Sequence, residues 1–116
     1  AYVRASSILQ NIPASELELA FEHSPRYEDE SSQRLVRKIA EFPLIVQNAA
    51  SSLKPSIITE YAHGLGRAFN RFYHDTKVSS ETDQQDKLSS IKLIEGFRHT
   101  MSNTLGLLGV ETLERM

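Results

Sequence analysis

The sequence contains no cysteine, which excludes disulfides, thiolate metal sites and cysteine nucleophiles. No apolar run approaches the roughly 20 residues that a membrane span requires. No signal-peptide pattern occurs at the beginning of the chain. The net charge is −2, whereas proteins that coat nucleic acid carry an overall positive charge. Any contact with a nucleic acid must therefore come from a local basic surface.

Catalytic signatures are missing as well. No two histidines have the i, i+4 spacing of a helical metal site, and no H-E-x-x-H, G-x-S-x-G or phosphate-loop motif occurs. The tripeptide from Gly64 to Gly66 lies inside a helical pattern and has no following lysine. Because glycine weakens a helix, close packing of a neighbouring element is the favoured explanation over phosphate binding. The sequence predicts no catalytic residue, no metal site and no bound cofactor.

The pattern of apolar residues is helical throughout, with no sustained strand alternation. The 116 residues fit one domain, so we predict a single all-α bundle of about five helices over residues 1–116. The chain begins at Ala1 within an apolar, periodic segment, and we expect it to be a fragment of a longer protein.

Three helical segments are predicted in the first half of the chain. The first covers Tyr2 to Gln10, and Ser15 is expected to cap the second. The third runs from Asp29 to Leu53, and we expect its helix to kink or break around Pro43, since an interior proline costs about 3 kcal/mol. Its core-facing residues recur at helical spacing, and they are Leu35, Ile39, Phe42, Val46, Ala49 and Leu53.

Two longer helices are predicted in the second half. One begins near Pro55 and reaches about Asp75, and the other covers Gln84 to Leu108, with Gly109 as its stop. The apolar face of the first consists of Ile58, Tyr61, Ala62, Leu65, Ala68, Phe69 and Phe72. That of the second consists of Leu88, Ile91, Ile94, Met101, Leu105 and Leu108.

A polar stripe runs along the first of these long helices, opposite its apolar face. It consists of His63, Arg67, Asn70 and His74, with Arg71 to one side. Such a stripe is either an ordinary solvated face or a surface that contacts phosphates and base edges. Tyr73 lies at the margin of the apolar face. A tyrosine there either packs its ring against the core with the hydroxyl in solvent or offers its ring for stacking on a base.

Two arginines elsewhere also allow two interpretations. Arg98 lies within the apolar stripe of the last helix, three residues after Glu95, so it either forms an ion pair or contacts RNA. Arg4 is close to Tyr2 on the first helix, and neighbouring aromatic and guanidinium groups suit single-stranded RNA. The same combination occurs on many other surfaces.

Four segments, taken in order, resemble the all-helical DALR anticodon-binding domain of arginyl-tRNA synthetases. They are "YVRASSIL", "LVRKIAEFPLIVQNAA", "YAHGLGRAFNRFYHDTKV" and the closing pair "IKLIEGF" and "LGLLGVETLERM". The resemblance covers essentially the whole chain.

This resemblance implies that the domain binds the anticodon stem-loop of tRNA for arginine. Tyr73 would be a stacking or packing group, Met116 would contact the loop, and Tyr2 and Arg4 would face the same loop. From the helix geometry we add Arg67 and Asn70 as RNA-binding candidates. The resemblance further implies a cytoplasmic class I ligase as the parent, whose separate catalytic domain uses ATP and magnesium. The alternatives are a helical protein-interaction domain without an RNA role and a phosphotransfer bundle using His63.

Overall fold

The structure, a computed structural model, describes residues 1–76 and 83–109. Within these residues every regular element is an α-helix, which confirms the all-α prediction. The six helices are α1 (Tyr2–Gln10), α2 (Ala14–Glu22), α3 (Glu30–Ala40), α4 (Phe42–Ser52), α5 (Ser56–Thr76) and α6 (Gln84–Leu107).

The sixth helix results from the division of the predicted third segment. α3 ends at Ala40 and α4 begins at Phe42, so Glu41 separates them. Pro43 falls in the first turn of α4. Backbone N–H groups in a first turn have no acceptor within the helix, so a proline, which lacks the N–H, is tolerated there. The expected disruption near Pro43 is confirmed and takes the form of a break between two helices.

The beginning of α3 is fixed by a side-chain cap. The Asp29 carboxylate accepts hydrogen bonds from the Ser32 backbone N–H and the Ser31 hydroxyl, each at 3.0 Å. Burial alone would raise the pKa of Asp29, but these hydrogen bonds outweigh it and lower the pKa below 3.8. The cap is therefore charged at neutral pH.

Two local predictions were wrong. α2 begins at Ala14 after Pro13, so Ser15 lies inside the helix and does not cap it. Leu53 was expected on the core face, yet it is 87% exposed and adopts a left-handed φ of 55°. The reason is that α4 ends at Ser52, so the helical register no longer applies to Leu53.

α5 and α6 supply most of the core. Phe69 and Phe72 on α5 and Phe97 on α6 are fully buried. Phe97 and Leu93 are missing from the predicted stripe of α6, although both are buried. α6 packs against α1, α2, α3 and α5, and α5 packs against α3 and α4. Gly109 has a φ of +75° just after α6, which confirms its predicted role as a stop.

The connection between α2 and α3 is tied to the first half of α6 through Ser89. The Ser89 hydroxyl accepts a hydrogen bond from the Arg26 backbone N–H at 3.1 Å. The Tyr27 hydroxyl donates to the Ser89 carbonyl at 2.8 Å. Burial raises the pKa of Tyr27 to about 12, so this hydroxyl remains a donor at neutral pH.

In the described parts of the chain, no helix combines the length and the apolar character needed to cross a membrane.

Candidate nucleic-acid interface

The polar stripe of α5 faces solvent. His63, Arg67, Asn70 and His74 are all exposed, which confirms their predicted placement opposite the apolar face. Arg71, beside the stripe, is exposed and pairs with Asp75 at 3.2 Å. The stripe therefore presents donors and positive charge along about three helical turns.

Arg4 and Tyr73, from different helices, meet at one margin of this stripe. The guanidinium carbon of Arg4 lies 4.8 Å from the centre of the half-buried Tyr73 ring, a cation–π distance. The sequence alone suggested each residue separately, and the fold brings the two together. An aromatic ring beside a guanidinium offers both stacking and charge to a nucleotide.

The Tyr73 ring is held by other aromatic rings. It stacks with Phe69 at a centroid distance of 6.2 Å and an interplanar angle of 23°. Phe69 in turn stacks with Phe97 at 4.3 Å and 16°. Because Phe69 and Phe97 are fully buried, the packing of these two core rings fixes the orientation of the Tyr73 ring.

Tyr2 lies in the core instead of on the surface. It is 9% exposed and shares a buried face of α1 with Ala5 and Leu9. The i, i+3 and i+7 spacing of these three residues was a sequence signal for this placement. A ring this covered offers no open face on which a base could stack.

Arg98 forms the ion pair that the sequence allowed. Its guanidinium donates to the Glu95 carboxylate at 3.0 Å. This hydrogen bond, with a smaller contribution from Tyr2, raises the pKa of Arg98 despite partial burial. We therefore interpret Arg98 as a structural residue of α6.

The two glycines of the "GLG" tripeptide lie close to neighbouring elements, as the packing interpretation predicted. A Cβ on Gly64 would lie 2.9 Å from the Lys38 Cε of α3. A Cβ on Gly66 would lie 3.8 Å from the side chains of Ala1 and Met101, an ordinary contact. Gly64 is therefore the tighter of the two approaches.

Sequence reasoning missed Lys38 as a neighbour of the stripe. Its ammonium lies 3.8 Å from the Glu41 carboxylate and 5.5 Å from the centre of the Tyr61 ring. Burial and the charge of Glu41 raise the pKa of Tyr61 to about 12. Its hydroxyl donates to the Lys38 carbonyl and holds this part of α3 against α5. Gly64 was the one sequence signal for a close neighbour at this position. The sequence pattern does not say which side chain of another helix approaches it.

The predicted contact of Met116 lies outside the described residues. Of the six predicted RNA-binding residues, the structure brings Arg4 and Tyr73 together. It places Arg67 and Asn70 on the adjoining stripe.

Comparison with known proteins identifies the family. The sequence model of the DALR anticodon binding domain matches residues 1–116. The chain is 35% identical to an arginine–tRNA ligase of Methanopyrus kandleri over 116 residues, which is 100% of this chain and 19% of that protein. It is 34% identical to the enzyme of Methanocella arvoryzae over 116 residues, 100% of this chain and 20% of that protein. It is also 36% identical to arginine–tRNA ligase 1 of Halalkalibacterium halodurans over 120 aligned residues, 100% of this chain and 21% of that protein.

The chain thus spans about a fifth of the length of the curated relatives it matches. The match extends over every helix described above, from α1 to α6. The chain belongs to the DALR anticodon-binding domain family.

Proposed function

We propose that this domain binds the anticodon stem-loop of tRNA for arginine through the polar stripe of α5 and the Arg4–Tyr73 pair. Family membership and the name that its relatives share, arginine–tRNA ligase, support the choice of RNA. The observation that carries the choice of surface is the Arg4 guanidinium 4.8 Å from the centre of the Tyr73 ring, beside exposed Arg67 and Asn70.

Each group on this surface has a distinct chemical task in the proposal. Arg4 lies over the Tyr73 ring, so in the proposal its guanidinium moves from the ring to a phosphate of the loop. An unpaired base of the loop then stacks on the ring in its place. Arg67 contacts a further phosphate, while the Asn70 amide, which both donates and accepts, reads a base edge. Anticodons for arginine share a middle cytosine, so we propose that this base is the one recognised.

The parent protein in this proposal is a cytoplasmic class I ligase that joins arginine to tRNA. ATP and magnesium would bind in its catalytic domain, and the present chain would position the tRNA. The domain itself needs no cofactor for this task.

The test is a titration of the 116-residue chain with an arginine anticodon stem-loop RNA. We expect affinity to fall as salt rises, because phosphate contacts release counterions. We expect Tyr73→Ala to weaken binding about tenfold, since stacking contributes about 1–3 kcal/mol per base. Arg4→Ala should weaken binding as well. Arg34→Ala, which removes one exposed positive charge from α3, is the matched control and should have little effect.

Two outcomes contradict the proposal. A stem-loop with a changed middle base that binds equally well would exclude specific recognition. Absence of stem-loop binding even at low salt would favour a protein-interaction domain. Helical circular dichroism serves as the control for folding, because Tyr73→Ala also removes the stack with Phe69.

We extend the same proposal to Met116, on the strength of the family resemblance. Deletion of Arg115 and Met116 should reduce affinity for the stem-loop with little effect on folding. A flexible thioether adapts well to the uneven face of a base. Equal binding after the deletion would remove Met116 from the proposed interface.

A further inference from the structure

Two cationic side chains from different helices converge on Gly64. We propose that Lys38 of α3 and Arg67 of α5 together hold an RNA backbone phosphate, at the margin of the polar stripe opposite Tyr73. This inference rests on the proposed RNA-binding function and adds a second contact, from a helix that the sequence did not implicate.

The convergence is defined by distances to one point. The position of a Cβ on Gly64 lies 3.1 Å from the Lys38 Nζ and 3.9 Å from an Arg67 guanidinium nitrogen. The Lys38 side chain is 29% exposed, and Arg67 is exposed, so a ligand can reach both. One phosphate carries enough acceptor oxygens to bond an ammonium and a guanidinium at the same time.

Gly64 makes this arrangement possible. Any side chain at this position would begin 2.9 Å from the Lys38 Cε, so the lysine would have to move. Glycine in a helix interior is otherwise unfavourable relative to alanine. The atoms that a methyl at this position would meet are the far end of a flexible lysine, so the methyl would displace the ammonium at little cost to the fold.

Two acidic side chains lie near the pair, and they decide on which side of it a phosphate fits. Glu41 lies 3.8 Å from the Lys38 ammonium, and its own side chain is 47% exposed. Glu60 lies about one helical turn before Gly64 on α5. Because Arg67 lies about one turn after Gly64, we place the phosphate on the Arg67 side.

The position of the pair also gives a direction for the RNA. With 3.6 residues per turn, Gly64 and Tyr73 lie on opposite margins of the polar stripe. They are about 13 Å apart along the helix axis, at 1.5 Å per residue. RNA that contacts both must cross α5 obliquely, with a base near Arg4 and Tyr73 and a phosphate near α3.

The first experiment measures salt dependence with the same stem-loop RNA. Lys38→Met should weaken binding about three- to tenfold and reduce the slope of log affinity against log salt by about 0.7, the loss of one cation from a single-stranded contact. Arg34→Met, on the same helix, should change neither quantity. Glu41→Gln should strengthen binding, since it removes the carboxylate that competes for the ammonium.

The second experiment moves the ammonium without changing any charge. Gly64→Ala should weaken binding about threefold while raising the melting temperature, because alanine is the better helix former. Gly66→Ala is the matched control, since its added methyl meets only ordinary contacts at 3.8 Å. It should leave affinity unchanged.

The outcomes separate this inference from the proposed function. If Tyr73→Ala weakens binding and Lys38→Met does not, the phosphate contact is wrong and the RNA-binding function stands. If Lys38→Met weakens binding and Gly64→Ala does not, Gly64 does not set the position of the ammonium. If neither Tyr73→Ala nor Lys38→Met affects the stem-loop, the proposed function fails and this inference with it. Thermal unfolding of each variant shows that it is folded during the titration.

Discussion

At the residue scale, Arg98 shows how a charge within an apolar stripe can be structural. Its guanidinium is partly covered and donates to Glu95 at 3.0 Å, with Tyr2 of α1 close by. Partial burial of a charge is tolerable only when a partner satisfies it. The positive charge of Arg98 is therefore satisfied by Glu95 on the same helix.

We expect Arg98→Met to lower the free energy of unfolding by about 0.5–1 kcal/mol, a modest value because solvent screens the pair. Methionine keeps the apolar stem, so the loss reports on the charge and its hydrogen bond. Urea unfolding measures it, and Glu95→Gln should produce a similar loss. A fall in RNA affinity without any change in the urea midpoint would contradict a structural role.

At the element scale, local patterns predicted the helices better than their ends. The apolar spacing identified the face of α5 and part of the face of α6, because burial of one face imposes a helical period. Pro43 predicted the division of α3 from α4, because its missing N–H restricts it to a first turn. Ser15 and Leu53 failed because helix ends depend on a few competing local hydrogen bonds.

The candidate site could be predicted only in part for a related reason. Residues on one helix, such as Arg67 and Asn70, share a face by spacing alone. The meetings of Arg4 with Tyr73 and of Lys38 with Gly64 join residues distant in sequence, and helix packing decides them. Tyr2 was expected to face the RNA loop because of the family resemblance, whereas its spacing with Ala5 and Leu9 is that of a core residue.

The end of α4 provides a test of backbone strain. Leu53 has a φ of 55°, and the Lys54 N–H bonds to the Ala49 carbonyl at 3.1 Å, so the helix ends in a left-handed turn. For a residue with a Cβ, this conformation costs about 1–2 kcal/mol of conformational free energy. We expect Leu53→Gly to raise stability by about 0.5–1 kcal/mol, since the greater freedom of unfolded glycine offsets part of the relief.

Thermal or urea unfolding of Leu53→Gly measures this gain. Leu53→Ala is the control, because it removes the exposed side chain and keeps the strained backbone. It should change stability little. An equal gain in both variants would attribute the effect to the leucine side chain and not to the backbone.

At the scale of the whole molecule, burial is unevenly distributed among the helices. α2 and α4 each contain one buried residue, Ala20 and Ala49. α5 and α6 contain most of the core, and α2 exposes large apolar side chains such as Phe21, which is 78% exposed. Helices with few buried contacts open at low free-energy cost.

Hydrogen exchange tests this distribution. We expect amide protons in the middle of α5 and α6 to exchange only through global unfolding. Those of α2 and α4 should exchange earlier, through local opening. Uniform protection across all described helices would show that the bundle opens as one unit.

The stack of Phe97, Phe69 and Tyr73 has a consequence for how this sequence can diverge. Phe69 contacts both other rings, so a substitution that repacks the core around it also tilts the surface tyrosine. Many core replacements that leave the fold stable would still turn Tyr73 away from Arg4. Under the proposed function, selection for RNA recognition would therefore also act on these core positions, and fewer residues would be acceptable there than packing alone allows.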